Sequence, residues 1–385
     1  MKKHTYKGIH YKTGKAVALH VTGEKITGTG EIPHDLSLRE IIIPGLADLQ
    51  VNGYKGIDFN GEDLDVKKIR DLIQNLWATG VTTCFPTVIT NSDTRIAASL
   101  QTIANACDTD KAIDNTIRGI HLEGPFISGE NGPRGAHPEQ FVKKPDWELF
   151  RKWQKISGNR IKLITLSPEW PEASGFIEKC TASGVLVSIG HTAATGEDIQ
   201  KAVRAGARMS THLGNAAHLQ LPRHQNYIWE QLASDALWPT IIADGFHLPA
   251  SVLKVFFRAK PEQGILVSDA TQFAGLPPGT YDTHIGGKIV LDEKGRLFMK
   301  EHPGLLAGSA RTLIQCIDFL TREKLLPLET AVDMTSVRPM HITGLEHPYG
   351  LLPGAPADFV ILEQREKEIK VKQTVKSGEI VFQGQ

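Results

Sequence analysis

Three residues able to hold a metal ion close short apolar runs in this chain. They are Glu123 in His121-Leu122-Glu123-Gly124-Pro125, His191 in Gly190-His191-Thr192 and His212 in Thr211-His212-Leu213. Two imidazoles and a carboxylate around one mouth suit a catalytic zinc or similar divalent ion, with three protein ligands and an open position for water. Another run ends at Asp269 in Val267-Ser268-Asp269-Ala270. Beside a metal-activated water that carboxylate would be the base, because the metal lowers the water's pKa and a neighbouring carboxylate takes the proton. Taken singly, each residue has a plainer reading: a capping or salt-bridged Glu123, a backbone-bonded His191, a core His212, a loop-capping Asp269. The loop Asn131-Gly132-Pro133-Arg134-Gly135-Ala136-His137 follows Glu123, and its His137 either folds over the mouth or faces solvent. Asp48, Gln50, Asn52, Asp244 and His247 stand at the ends of further runs. A strand end needs no ionisable group in order to fold, so several on one rim point to a site.

These residues meet only if the runs are strands of one barrel or sheet. The runs are 41–50, 81–87, 117–123, 161–167, 185–191, 208–212, 239–244 and 265–269. Between the first two, Leu64, Ile69, Leu72, Ile73, Leu76 and Trp77 form an apolar helical stripe ended by Gly80. Glu197 to Arg204 reads as a short helix closed by Gly206, and a last amphipathic helix from Ser309 carries Leu313, Ile314, Ile317 and Leu320. Eight strands alternating with helices over roughly 300 residues suit a (β/α)₈ TIM-like barrel, whose active site lies at the C-terminal ends of the strands. No G-x-G-x-x-G turn follows the first strand, which counts against a doubly wound dinucleotide-binding sheet. The chain ends differ from this middle. Segments 6–32 and 358–382 alternate apolar and polar residues with Gly punctuation, the pattern of antiparallel strands. Neither end carries enough strands for a stable sheet alone, so the two are expected to pair into one small β-sandwich domain. The expected division is 1–43 and 346–385 for that domain, and 44–345 for the barrel.

Composition removes whole classes of function. The 385 residues are 41% hydrophobic and carry 43 basic against 43 acidic side chains, so neither nucleic acid nor an anionic membrane is an expected partner. Apolar runs stop far short of the roughly 18 residues a membrane span needs. Met1 to Tyr11 leads into no apolar stretch, so no secretory signal is read. Cys84, Cys107, Cys180 and Cys316 form no C-x-x-C pair and read as reduced, buried thiols of a cytoplasmic protein.

In their order, the motifs resemble those of the amidohydrolase superfamily, and within it the N-acetylglucosamine-6-phosphate deacetylases. The carrying segments are 44–53 (PGLADLQVNG), 121–126 (HLEGPF), 135–137 (GAH), 190–193 (GHTA), 211–216 (THLGNA), 243–247 (ADGFH), 268–270 (SDA), 306–309 (LAGS) and 356–359 (PADF). The resemblance covers nearly the whole chain, and its strength lies in the ordered series rather than in any one segment. It implies a barrel with a small β domain, usually as a homodimer. It implies that Glu123, His191 and His212 hold one divalent ion, zinc first, with iron, cobalt or manganese also tolerated by this ligand set. It further implies Asp269 as acid/base and His137 as a second group polarising the acetyl carbonyl. On the same ground His247, beside Asp244, would position the sugar, with Ala136, Asn215, Ala216, Leu306, Ala307 and Gly308 lining the pocket. Arg223, eleven residues after His212, falls where the family places a phosphate-binding arginine; guanidinium offers phosphate a planar, charged pair of donors. The implied reaction is hydrolysis of the acetamide of N-acetylglucosamine 6-phosphate.

Two departures from the family pattern stand out. Many amidohydrolases carry His-x-His on the first strand and hold two metals; here Gln50 and Asn52 occupy those places, neutral amides are poor zinc ligands, and the resemblance to deacetylases that share this replacement and use one metal implies one ion. After His212 the family usually shows a bulky residue and then Asn-Ala-Met, where this chain has Gly214-Asn215-Ala216-Ala217-His218. A deacetylase of an unphosphorylated or different N-acetyl sugar, or of another small amide, is therefore the competing reading. A non-catalytic scaffold would be expected to have lost its ligands, and a metal-free phosphate-binding isomerase would need no Glu/His/His set.

Overall fold

The apolar run at 41–50 is two strands rather than one, and the break is at Gly45. A β-carbon there would lie 2.1 Å from Thr82 Oγ1, so only glycine fits, and the Gly45 N–H donates to the Asp358 carbonyl (3.0 Å). Before it, Glu40–Pro44 pairs antiparallel with Phe359–Gln364 and parallel with Lys3–His10; after it, Leu46–Val51 pairs parallel with Val81–Ile89. One residue thus separates two sheets, a break that hydrophobicity alone does not mark. The structure is a computed structural model describing residues 2–33, 38–282, 287–345, 348–364 and 368–384. The domain boundary expected at 345/346 touches residues 346–347, which lie outside the described residues.

The middle of the chain is a (β/α)₈ barrel. Leu46–Val51, Val81–Ile89, Ile120–Glu123, Ile161–Leu166, Leu186–Ile189, Met209–Ser210, Trp238–Ile241 and Ile265–Leu266 form one eight-stranded sheet in sequential order, every neighbouring pair parallel. The later strands are shorter than the apolar runs because the runs continue past the ladder into the rim loops. The first and eighth strands meet just beyond their ladders: Asp269 N–H donates to the Gln50 carbonyl (2.9 Å), and Val51 pairs with Ala270. Leu49, Phe85, Leu163, Met209 and Ile265, from five different strands, share one apolar cluster with Ile242 and Val267. Such layered filling makes a barrel a packed core rather than a pore.

The surrounding helices follow their local signals. Val66–Trp77 is capped by Asp65 and buries Ile69, Leu72, Ile73, Leu76 and Trp77. Gly196–Ala205 starts with a capping box at Thr195 and Asp198 and ends at Gly206 with φ 119°, a conformation glycine adopts without strain. The helix expected from Ser309 begins at Leu313 instead. Thr312 and Gln315 form its capping box, and Ser309 is drawn into a parallel bridge with Ala270. Between the eighth strand and this helix lies a three-stranded antiparallel sheet (Gly279–Asp282, Lys288–Leu291, Leu297–Met299) absent from the sequence reading.

Both termini join in one seven-stranded sheet of Lys3–His10, Ala16–Thr22, Lys25–Glu31, Glu40–Pro44, Phe359–Gln364, Ile369–Lys376 and Glu379–Gln383. Its outer strand Lys25–Glu31 meets residues 354–357, the lead-in to Phe359, through Ile26 N–H to Ala355 and Gly354 N–H to Ile26. The sheet therefore curls over a core of its own, with Leu19, Val21, Ile26, Ile42, Phe359 and Val375. Alternate residues Ile43, Val360 and Leu362 belong to the barrel's main apolar cluster. Period-two alternation thus serves two cores at once.

Candidate active site

Three donor atoms converge at the C-terminal rim of the barrel. Glu123 Oε1 lies 3.3 Å from His191 Nε2 and 3.1 Å from His212 Nε2, and the two nitrogens are 3.0 Å apart. Ligands of a tetrahedral ion with bonds of about 2.0–2.1 Å stand a little over 3 Å from one another, so this spacing fits one small divalent cation. Donor chemistry agrees. His191 Nδ1 lies 2.9 Å from the Pro133 carbonyl, which can only accept, so its proton sits there and Nε2 carries the lone pair. Two ring nitrogens and a carboxylate oxygen turned toward one point, all nearly solvent-free, form a group suited to a metal ion. Burial works against the charge on Glu123, yet the two histidines outweigh it and hold the carboxyl well below its usual range.

Local backbone geometry brings the side chains inward. His191 (φ 48°), His212 (φ 29°) and Asp269 (φ 48°) all adopt positive φ, where non-glycine residues are uncommon. Each such residue costs of order 1–3 kcal/mol and persists only where its surroundings over-determine it. His212 is pinned by its N–H to Thr240 Oγ1 (2.7 Å), and the turn after His191 by Ala193 N–H to Glu169 Oε2 (2.7 Å).

Gln50 and Asn52 point their amide donors at the two carboxylates. Gln50 Nε2 donates to Glu123 Oε1 and Asn52 Nδ2 to Asp269 Oδ1, both at 2.8 Å. Flipping either amide would set oxygen against carboxylate oxygen, so the orientation follows from the charges. Asp269 is partly buried. Burial first, then the Glu123 charge, push its carboxyl up to about 7, against the opposing pull of His212 and Asn52. A carboxyl poised there can take and return a proton near neutral pH.

His137 is at the site and not in solvent. It is 9% exposed, its ring stands edge-on to His191 at 4.3 Å between centroids, and its Nδ1 is buried without a partner. Burial and then the neighbouring His191 press its pKa down to about 3, so the ring is neutral and keeps one N–H to donate. Asp244 and His247 follow the seventh strand as a pair: His247 Nδ1 lies 2.7 Å from Asp244 Oδ2, and Asp244 Oδ1 accepts the Phe246 and His247 amides, both at 2.9 Å. Burial opposes that charge, but His247 and the amides outweigh it and hold Asp244 below its usual range. Leu306, Ala307 and Gly308 lead into Ser309, whose carbonyl accepts the Thr271 N–H (3.0 Å), which sets them beside the Asp269 turn. Ala136 is next to His137, and Asn215 and Ala216 follow His212, with Ala216 at φ 47°. Arg223 is not brought to the centre. It is exposed on the loop after His212 and makes no ion pair or side-chain hydrogen bond with any described residue.

Some of the site has no signature in the sequence. The Pro133 carbonyl is backbone. Glu130, His218 and Tyr227 tie the two rim loops together, with His218 Nε2 3.1 Å from Glu130 Oε2 and His218 Nδ1 3.1 Å from Tyr227 OH. That link joins residues 88 positions apart, which spacing rules cannot find.

Comparison with known proteins agrees with this geometry. Residues 41–381 match the model of the amidohydrolase family. The N-acetylglucosamine-6-phosphate deacetylase of Lysinibacillus sphaericus is 31% identical over 371 residues, covering 95% of this chain and 89% of its own length. That of Rattus norvegicus is 33% identical over 357 residues, covering 90% and 84%. Among solved structures, the Pasteurella multocida N-acetylglucosamine-6-phosphate deacetylase superposes with a TM-score of 0.85 at 26% identity, over 98% of this chain and 99% of that one. A mutant Mycobacterium smegmatis N-acetyl-D-glucosamine-6-phosphate deacetylase, in complex with N-acetyl-D-glucosamine-6-phosphate, shares the fold with a TM-score of 0.83 at 24% identity, over 95% and 94%. The chain belongs to the amidohydrolase family and, within it, to the N-acetylglucosamine-6-phosphate deacetylases.

Proposed function

We propose that this protein hydrolyses the acetamide of N-acetylglucosamine 6-phosphate to glucosamine 6-phosphate and acetate. The observation that carries the chemistry is the Glu123–His191–His212 donor set with the partly buried Asp269 beside it, 2.8 Å from Asn52. Relatives of that activity, more than 30% identical over most of the chain, support the substrate. Glu123, His191 and His212 would hold one divalent ion, zinc in our reading. When bound, such an ion supplies Lewis acidity, which makes water nucleophilic near neutral pH and draws charge from a carbonyl oxygen.

The chain's own groups do the rest. Asp269 Oδ2, the oxygen not held by Asn52, takes the proton of the attacking water. The neutral His137 donates its free N–H to the acetyl oxygen, an interaction that strengthens as the oxygen becomes negative. Protonated Asp269 then returns the proton to the leaving nitrogen, and the amine and acetate depart. His247, held through Nδ1 by Asp244, keeps its outer ring nitrogen for a sugar hydroxyl. Ala136, Asn215, Ala216 and Leu306 to Gly308 line the sugar's pocket. We place the catalytic unit in residues 44–345, with 1–43 and 346–385 as the β unit, in a cytoplasmic homodimer. Among the described residues no helix is long and apolar enough to cross a membrane.

A second reading concerns the phosphate. Arg223 is the implied phosphate ligand, yet it is exposed and has no partner among the described residues, and the stretch 214–218 departs from the family pattern. Acetate release from N-acetylglucosamine and from its 6-phosphate, measured side by side on metal-quantified protein, decides between them. We expect a preference for the phosphate of about 100-fold in kcat/KM, most of it lost in Arg223→Ala, as for a charge-assisted contact. Equal turnover of both sugars would instead make this a deacetylase of N-acetyl sugars that does not read the phosphate.

A further inference from the structure

Asp48 takes no part in this chemistry, yet it is a buried carboxylate, 2% exposed, on the first barrel strand. Among the described residues no cation offsets its charge. Burial raises its carboxyl to about 6, and only donors from Ser268 and Gln50 pull the other way. A buried charge without a cationic partner is costly, and an apolar side chain would pack the same space. What Asp48 does there follows from where the barrel closes.

The first and eighth strands are the two ends of the barrel's strand order and share no ladder within their own ranges. Asp48 spans that seam. Its Oδ1 accepts the Ser268 N–H at 3.2 Å from one side and the Gln50 N–H at 3.3 Å from the other. Ser268 Oγ in turn accepts the Ala270 N–H at 3.1 Å, and the Asp269 N–H donates to the Gln50 carbonyl at 2.9 Å. One residue further, the Asn52 and Gly53 amides donate to the Ala270 carbonyl at 2.8 and 3.0 Å. Asp269 therefore sits between two pinned residues, at φ 48°, with its carboxylate held by Asn52, the residue just past the first barrel strand. Without the Asp48 oxygen, two buried amides lose their acceptor and the residue before Asp269 is free to shift.

We propose that Asp48 is a positioning residue for the reaction: as acceptor for the Ser268 and Gln50 amides, it closes the barrel seam and fixes where Asp269 stands. The proposal rests on the acid/base role given to Asp269 above. It is tested on the full-length, metal-quantified protein by measuring kcat and KM separately for D48N and D48L, with thermal unfolding alongside. Asparagine keeps an oxygen where the acceptor is needed, so kcat for D48N is expected within about threefold of wild type. Leucine keeps the volume and removes the acceptor. For D48L, kcat is expected to fall on the order of 10²-fold, the cost of a small misplacement, with KM and bound metal little changed. Wild-type kcat per bound metal in D48L would overturn the proposal even if its unfolding midpoint drops, because Asp48 would then serve only the fold. So would a folded, metal-loaded D48N whose kcat falls as far as that expected for D48L, and this outcome can be read even if D48L does not fold. If the wild type releases no acetate from N-acetylglucosamine 6-phosphate, the substrate reading fails instead. The variant ratios are then read on whichever N-acyl substrate the wild type does hydrolyse.

Discussion

Asp269→Asn is expected to lower kcat by about 10²- to 10⁴-fold, the usual contribution of a positioned general acid–base group. The substitution keeps the side-chain volume and an oxygen for Asn52, which now holds Asp269 Oδ1 at 2.8 Å. It leaves Glu123, His191 and His212 untouched, so metal content and KM are expected to stay near wild type. Acetate-release kinetics with elemental analysis of the same sample measure all three quantities. A variant that loses its metal together with its turnover would recast Asp269 as a ligand. In the same role Asp269 is expected to give the wild type an acid limb. Only the ionised carboxylate can take a proton, so turnover falls as pH drops through its pKa. Burial and Glu123 set that pKa at about 7 in the absence of a cation, and a divalent ion nearby lowers it, so the limb lies at or below about pH 7.

His191→Ala is expected to remove metal and turnover together. It takes away one of the three proposed ligands, the imidazole that Pro133 orients through Nδ1 at 2.9 Å. Partners that merely orient a ligand are worth 10- to 100-fold in metal affinity, so losing the ligand itself is expected to cost more than about 100-fold. The Glu123 carboxylate would also lose one of the two histidines that hold it ionised in a buried position. Thermal unfolding of metal-free wild type and variant separates that folding cost from the loss of the ion. Near-stoichiometric metal in the folded variant would contradict the ligand assignment. The two substitutions thus differ in kind: one parts turnover from metal, the other loses both.

The centre was legible in the sequence because a barrel gathers the ends of its strands. An ionisable residue closing an apolar run has little reason to be there unless the run ends at a rim. Glu123, His191, His212 and Asp269 each did so, and the structure brings them together. The paired termini were legible for a related reason, since period-two alternation at both ends left neither with enough strands to stand alone. Gly45 was not legible as a break, because it lies inside one continuous apolar run and its reason is steric contact with Thr82, 37 positions away. Ser309 looked like a helix start, but its carbonyl is engaged by Thr271, and Thr312 takes the cap. His137 had two readings because its burial depends on how the loop 131–137 folds against His191. Arg223 was singled out only by the resemblance, and a motif position on an exposed loop fixes no distance in space.

The central claim is that one divalent ion, held by Glu123, His191 and His212, supports hydrolysis of an N-acetyl group. Its most direct test is to strip the purified protein with a chelator, titrate zinc back, and follow acetate release from N-acetylglucosamine 6-phosphate. The account predicts no turnover in the stripped protein and a linear rise that stops at one equivalent per chain. Turnover that survives complete removal of metal, or that continues to rise to two equivalents, would contradict it.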